Sequence, residues 1–300
     1  MRTLLLGECL VDLVCERPVA SLAEATAFVP HFGGAVANVA VVAARGGADV
    51  TLAGGAGDDA WGSWLRARLE HEGVDLTWWR LVEDLQTPLS TVIVDAEAQP
   101  TFAIYGDAIG ATIEAVAPLL DEAVDACDAL FLASNTLVGE PERALTTQAR
   151  ERALAHDKPV VFDANLRLGR WPAPARAASV AREFVDGCFL VKANAEEARL
   201  LTGESEPAAA AEALLAGGAR NALVTNGAGG AVLRGGGQAL DVPGVSATPV
   251  NTTGAGDTFS GVVLARLAAT GYYEPAIGAA LGDAVTAAAR ATEHWGAVGV

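Results

Sequence analysis

From Ala129 onward the chain alternates short apolar runs with stretches of helical periodicity, and this alternation restricts the fold more than any other feature. Residues 129–133 read as a strand and 140–156 as a helix, then 160–163 as a strand and 174–186 as a helix. Residues 189–191 and 223–225 read as further strands, with a helix over 195–201 between them. Strands joined through helices run parallel, with helices covering both faces of the sheet. Ligands of such sheets bind beyond the carboxyl ends of the strands. Asp163, Asn194, and Asn226 with Gly227 each follow a strand in this way.

The first hundred residues read differently. Residues 3–7 form a short buried strand, and 10–15 alternate apolar and polar residues as a half-exposed strand with Asp12 to one side. A strand is expected over 28–32, a buried one over 50–53, a turn over 54–59 and an amphipathic helix over 61–72. Residues 89–94 and 101–105 flank a polar turn, 95–100, and read as a hairpin. The strands at about 9–16, 28–32 and 88–106 lack intervening helices, which predicts a small separate sheet lying over the main one as a lid. A lid excludes water from a transfer reaction. The expected fold is thus one α/β unit spanning 1–300, a three-layer α/β/α sandwich with a mostly parallel sheet and a β lid. Later in the chain, 235–237 (Gly-Gly-Gly) marks a hairpin turn, 245–250 a β-like run, and 276–291 an Ala-rich helix.

Two helices begin on glycines. Gly33-Gly34 opens a helix running to about Arg45, with Asn38 on its first turn, able to hydrogen-bond a ligand at the mouth. The second start is Asn251-Thr252-Thr253-Gly254-Ala255-Gly256-Asp257-Thr258-Phe259. A helix N-terminus leaves N–H groups unpaired and carries partial positive charge, which suits an anion. Gly254 and Gly256 lack a Cβ and let backbone approach that anion. Asp257 would repel it, unless the carboxylate takes a proton from an attacking hydroxyl while the N–H groups hold a transferring phosphoryl group. The plain alternative is a tight turn with Asp257 favouring the helix dipole.

The formal net charge of −17, with Lys158 and Lys192 as the two lysines, argues against nucleic acid and anionic membrane as partners. A polyanionic ligand must then be held locally, by backbone N–H groups, a few arginines and a metal ion. Cys9, Cys15, Cys127 and Cys188 show no C-x-x-C spacing and read as reduced core thiols of a cytoplasmic protein. The four histidines form no zinc pattern. Leu4-Leu5-Leu6 is too short for a signal segment, and no run reaches the roughly 20 apolar residues of a membrane span. A dinucleotide-binding dehydrogenase would need G-x-G-x-x-G after its first strand, where this chain has Gly7-Glu8-Cys9, and no Gly-Lys-Ser/Thr of a P-loop occurs.

Taken together, Gly33-Gly34-x-x-x-Asn38 and Thr253-Gly254-Ala255-Gly256-Asp257-Thr258-Phe259 resemble the two signatures of the ribokinase-like carbohydrate kinases of the phosphofructokinase-B type. Gly7-Glu8…Asp12, Asp163-x-Asn165-x-Arg167, Asn194-x-x-Glu197 and Thr225-Asn226-Gly227 extend the resemblance over nearly the whole chain. The resemblance implies a ribokinase-like fold and phosphorylation of a sugar hydroxyl by ATP with Mg²⁺. It implies Asp257 as the base and the N–H groups of Gly254, Ala255 and Gly256 as the anion hole. Asp12, Gly33, Gly34, Asn38 and Arg167 would hold the sugar; Asn194, Thr225, Gly227 and Gly256 would hold ATP. Glu197 would organise Mg²⁺ through water, although without the family Asn194 and Glu197 read as a helix cap. Asn251 and Thr253 fall on a monovalent-cation loop where the family carries Asp in place of Asn251; the lost charge makes any K⁺ dependence weak.

Gly7-Glu8-x-x-Val11-Asp12 and Asp163-x-Asn165-x-Arg167-x-x-x-Trp171 look most like fructokinases, so fructose is the expected acceptor, giving fructose 6-phosphate. The 2-keto-3-deoxygluconate kinases share the second motif; ribokinases and nucleoside kinases share less. The stretch 101–108 lacks an arginine that many fructokinases carry after the tyrosine. Outside the class, a non-catalytic sugar or nucleotide sensor stands as the alternative. The exposed side of the lid predicts a homodimer through it.

Overall fold

A computed structural model describes residues 1–105 and 108–298. The end of the expected lid at 106, and the Gly106-Asp107 part of the stretch compared with fructokinases, lie outside the described residues. In chain order the elements are β1 (Thr3–Leu6), β2 (Leu10–Pro18), β3 (Val29–Gly33), α1 (Ala35–Arg45), β4 (Val50–Gly57), α2 (Ala60–His71) and β5 (Trp79–Val82). Then come β6 (Leu89–Val94), β7 (Pro100–Tyr105), α3 (Ile109–Glu114), α4 (Leu120–Asp125), β8 (Ala129–Ala133), α5 (Glu140–Ala155), β9 (Val160–Asp163) and α6 (Pro174–Glu183). The last are β10 (Leu190–Asn194), α7 (Ala195–Thr202), α8 (Pro207–Ala216), β11 (Asn221–Thr225), β12 (Ala231–Gly235), β13 (Gln238–Val242), α9 (Ala255–Ala269) and α10 (Pro275–Ala291).

The main sheet runs β13-β12-β11-β10-β9-β8-β1-β4-β5. It is parallel from β11 to β5, and β12 and β13 add antiparallel at one edge. Successive side chains of a strand point to opposite faces, so each strand feeds two cores. Leu5, Phe131 and Val161 join one apolar cluster with Val36 and Val39 of α1, Leu65 of α2, Phe259 and Leu267 of α9 and Ile277 of α10. Their neighbours Leu4, Leu6, Leu130, Leu132 and Phe162 join the other, with Ile113, Leu120, Ala149, Val180, Ala198 and Leu214 of α3 to α8. The result is the three-layer α/β/α sandwich. A second sheet, β3-β2-β6-β7, is built from the stretches that lacked helices between them.

Some expectations needed correction. The strand at 10–15 is not half-exposed: Leu10, Val11, Asp12, Val14 and Cys15 are all buried, because β2 lies inside the small sheet, between β3 and β6. The glycines at 54–57 are not a turn but the end of β4. A Cβ on Gly54, Gly55 or Gly57 would lie 2.3, 2.4 or 2.1 Å from the carbonyl oxygen of Gly7, Arg80 or Leu85. These residues are glycine because neighbouring backbone crowds them, not because the chain reverses. Residues 245–250 form no strand, since Pro249 has no N–H to give a ladder. The strand β5 and the helices α3, α4 and α8 are additions to the sequence reading.

Candidate active site

The two glycine-led helices, α1 and α9, pack against each other and start at the carboxyl end of the parallel strands. Gly254 precedes α9 with φ 76°, and a Cβ there would lie 2.1 Å from the carbonyl oxygen of Ala297. Only glycine fits both constraints. Gly34 is the corresponding residue before α1, with φ 91° and the Glu8 carbonyl oxygen 2.5 Å from where a Cβ would stand. Glu8, itself buried, accepts from the N–H of Ala35 and from Asn135 Nδ2, both at 2.8 Å, and so caps α1 in place of the missing side chain at Gly34.

Asp257 lies in the first turn of α9, 2% exposed. Its Oδ2 accepts from Asn38 Nδ2 of α1 at 2.8 Å and its Oδ1 from Asn165 Nδ2 at 3.2 Å. Burial pushes the Asp257 carboxyl above the usual carboxylate range; Arg167, Asn38 and Lys192 pull it back, and Asp163 pushes the same way as burial. Asp12, on β2, accepts a hydrogen bond from the hydroxyl of Ser90 on β6. Its pKa is pushed up to about 7, chiefly by burial, with Ser90 and Arg167 opposing and Asp257 adding to the rise. Arg167 thus faces two carboxylates, and its guanidinium stands 5.5 Å from the ring centre of Phe102 on β7. A Cβ on Gly33 would meet Asp12 Cγ at 2.7 Å, which brings that glycine to the same mouth.

Beneath the first turn of α9 lies a buried ion pair that the sequence reading missed. Lys192 Nζ is 3.2 and 3.1 Å from the two oxygens of Asp163, and Ser260 Oγ donates to Asp163 Oδ2 at 2.7 Å. Burial works against the Lys192 ammonium, yet Asp163, Glu197 and Asp257 together raise its pKa above the ordinary value. It remains a cation, 3.1 Å from where a Cβ on Gly256 would stand. No spacing rule links 192 to 256; only the sheet order and the α9 crossing bring them together.

Asn194 ends β10 and Thr225 ends β11, side by side in register. Asn194 Oδ1 accepts from the N–H of Glu197, and Glu197 Oε2 from the N–H of Asn194, each at 2.9 Å. This reciprocal pair is a capping box. Glu197 Oε1 accepts the N–H of Leu166 at 2.8 Å. Gly227, φ 50°, has no atom within 4 Å of a would-be Cβ, so the space beside it is open. Asn251 Oδ1 accepts from the N–H of Thr253 at 2.9 Å, which leaves Asn251 Nδ2 and Thr253 Oγ1 buried without partners. Thr252 ties this loop to the small sheet: its N–H and hydroxyl reach the carbonyl oxygen of Ala98, at the β6–β7 turn, at 3.1 and 3.2 Å.

The arrangement therefore brings Asp12, Gly33, Gly34, Asn38 and Arg167 together with Gly254, Ala255, Gly256 and Asp257, while Asn194 and Thr225 end neighbouring strands, with Glu197 in the first turn of α7 and Gly227 just after β11. The family model of pfkB carbohydrate kinases matches residues 2–297. The chain belongs to that family. It is an ATP-dependent carbohydrate kinase. Among relatives, it is 32% identical to fructokinase-1 of rice, over 87% of this chain and 81% of that one. Fructokinase from Vibrio cholerae, solved with fructose, ADP and calcium ion bound, superposes with a TM-score of 0.84 at 28% identity, covering 99% of this chain and 94% of that one. Aminoimidazole riboside kinase from Salmonella enterica, solved with its riboside and an ATP analog, superposes with a TM-score of 0.83 at 26% identity, covering 99% and 95%. Asn165, Lys192, Ser260 and Glu8 stand beside the residues expected from the motifs. Of these, Glu8 and Asn165 stood within quoted motifs without a role, and the other two carried no local signal. Among the described residues, no helix of this kinase is long and apolar enough to cross a membrane.

Proposed function

We propose that this kinase transfers the γ-phosphoryl group of ATP to a hydroxyl of fructose, giving fructose 6-phosphate. The observation that carries the chemistry is Asp257: a buried carboxylate held by two amides at the head of α9, beside Gly254 and Gly256. In this reading Asp257 takes the proton of the attacking hydroxyl, and the N–H groups of Gly254, Ala255 and Gly256 hold the transferring group as its charge spreads. Asp12, Gly33, Gly34, Asn38 and Arg167 hold the sugar. Asp12 already accepts from Ser90 and can accept from sugar hydroxyls with its remaining lone pairs. Asn194, Thr225, Gly227 and Gly256 hold the nucleotide.

Mg²⁺, when bound, neutralises the phosphates. Glu197 would hold it through water: each carboxylate oxygen accepts a backbone N–H and keeps one lone-pair direction to which a metal-bound water can donate. For a monovalent cation the fit is poorer. Asn251 presents an N–H₂ group, a donor, and Thr253 Oγ1 is the remaining side-chain oxygen. K⁺ activation is accordingly expected to be weak.

Fructose is supported by the fructokinase relatives and by charge. Arg167 already faces Asp12 and Asp257, so a substrate carboxylate would compete with two carboxylates for it. That disfavours 2-keto-3-deoxygluconate relative to a neutral sugar. The test is ADP release with MgATP against fructose, 2-keto-3-deoxygluconate, ribose, tagatose and adenosine, each with and without K⁺. Fructose is expected to give the largest kcat/KM. Turnover of another acceptor with none on fructose would refute the assignment, and ATP binding without sugar-dependent ADP release would favour a sensor.

We also propose a homodimer through the small sheet acting as lid, whose outer strands leave Val29, Ile104 and Tyr105 exposed. Light scattering should return the mass of two chains; a monomeric mass removes the idea.

A further inference from the structure

Asn165 occupies a conformation that few side chains accept. Its φ is 34°, in the left-handed region, and it is 7% exposed. Asparagine often takes this conformation in exposed turns, where its side chain bonds to its own backbone. Here the amide turns away from the turn and donates to the Asp257 carboxylate. The turn is held by other groups, one residue after another. The N–H of Ala164 donates to the Lys192 carbonyl at 2.8 Å, the carbonyl of Asn165 accepts from Ser134 Oγ at 3.1 Å, and the N–H of Leu166 donates to Glu197 Oε1 at 2.8 Å. A strained residue over-determined by its surroundings, with its side chain on a buried carboxylate, points to a use in the site rather than in the turn.

We infer that Asn165 is a positioning residue for Asp257: with Asn38 on the other oxygen, it fixes the plane of the carboxylate and favours its ionised form. The inference rests on Asp257 being the base. Arg167 and Lys192 face Asp257 with positive charge, Asp12 and Asp163 with negative charge. Against that near-balanced field, an N–H donor on each oxygen helps a buried carboxylate to stay charged. The Glu197 contact also makes the nucleotide-side carboxylate part of the clamp that sets the base.

The test is the pH dependence of kcat/KM for fructose, or for whichever acceptor of the panel turns over, in two variants. Asn165→Gly adopts the left-handed backbone without strain and removes the amide. Asn165→Asp keeps the shape and places a second carboxylate against Asp257. Removing a donor to the charged form raises the pKa of the base, so the acidic limb of the profile should move to higher pH, by about one unit in Asn165→Gly and further in Asn165→Asp. Below the limb kcat/KM should fall about tenfold in Asn165→Gly and recover towards wild type above it. A residue with only a structural role would lower the melting temperature and leave the limb in place. If Asn165→Gly does not fold, Asn165→Asp carries the test alone. An unmoved limb in the folded variants overturns the inference. If Asp257→Asn is inactive while the limb is unmoved, this inference alone falls; if Asp257→Asn turns over like wild type, the base assignment falls with it.

Discussion

The Asp257→Asn protein is expected to turn over its sugar roughly 10²–10⁴-fold more slowly than wild type, with fold and nucleotide binding intact. The loss follows from the chemistry. An amide cannot take a proton from the attacking hydroxyl, and phosphoryl transfer then relies on the anion hole and positioning alone. Survival of the fold follows from the neighbours. An asparagine at 257 would bring its N–H₂ against one of two amide donors, Asn38 Nδ2 or Asn165 Nδ2. Both of those amides have buried oxygens without partners, so either can flip and accept. The change also removes a charge that is 2% exposed and that faces Asp12 and Asp163. No buried charge is left stranded, because Arg167 keeps Asp12 as its counter-charge. ADP release, a thermal melt and an ATP-binding isotherm on the same preparation decide the matter. Turnover near the wild-type rate would remove Asp257 from the role of base, and a melt many degrees lower would assign the loss to structure.

How much of this was legible in the residues depends on whether a signal is local. Gly34 and Gly254 were readable because positive φ and close backbone approach exclude other side chains, and those conditions recur wherever a helix start holds a ligand. The alternation after Ala129 was readable because period and length separate strand from helix within a window of about 15 residues. Gly54 to Gly57 misled for the opposite reason. A glycine in a turn and a glycine crowded by a neighbouring strand look the same in sequence, and the carbonyls that crowd these belong to Gly7, just past β1, and to Arg80 on β5. The buried strand at 10–15 was misread because alternation reports the polarity of residues, and here the polar residue, Asp12, is enclosed with its partner Ser90. The Glu197 pairing was visible as a cap at spacing i, i+3, but its second bond, to Leu166 N, joins the first turn of α7 to the segment after β9 and has no sequence period. Lys192 is the extreme case: its relation to Asp163 and Gly256 exists only in the assembled sheet.

That ion pair gives the second large effect. Lys192→Met should destabilise the fold by about 3–5 kcal/mol, since it leaves the Asp163 carboxylate buried without its counter-charge. Lys192 and Asp163 are 5% and 1% exposed, so water cannot take the ammonium's place. Only Ser260 Oγ remains as a donor to Asp163 from this cluster, and a hydroxyl offers one hydrogen bond where the carboxylate has lost a full charge. The double variant Asp163→Asn, Lys192→Met should recover most of the loss, because replacing both members of a buried pair by neutral groups is often neutral or better, whereas removing one strands the other. The amide at 163 can still accept from Ser260, and methionine fills the lysine stem's volume among apolar neighbours. Urea unfolding of the wild type and the two variants measures both steps. Turnover should separate from stability in the double variant. Its fold recovers, but the first turn of α9 no longer has an ammonium beneath Gly256, so the positive potential that a phosphoryl group meets is reduced. A double variant as unstable as the single one would show that the pair's packing, not its charge, holds the strands together. Full turnover in a stable double variant would confine Lys192 to structure and leave the anion hole to the backbone alone.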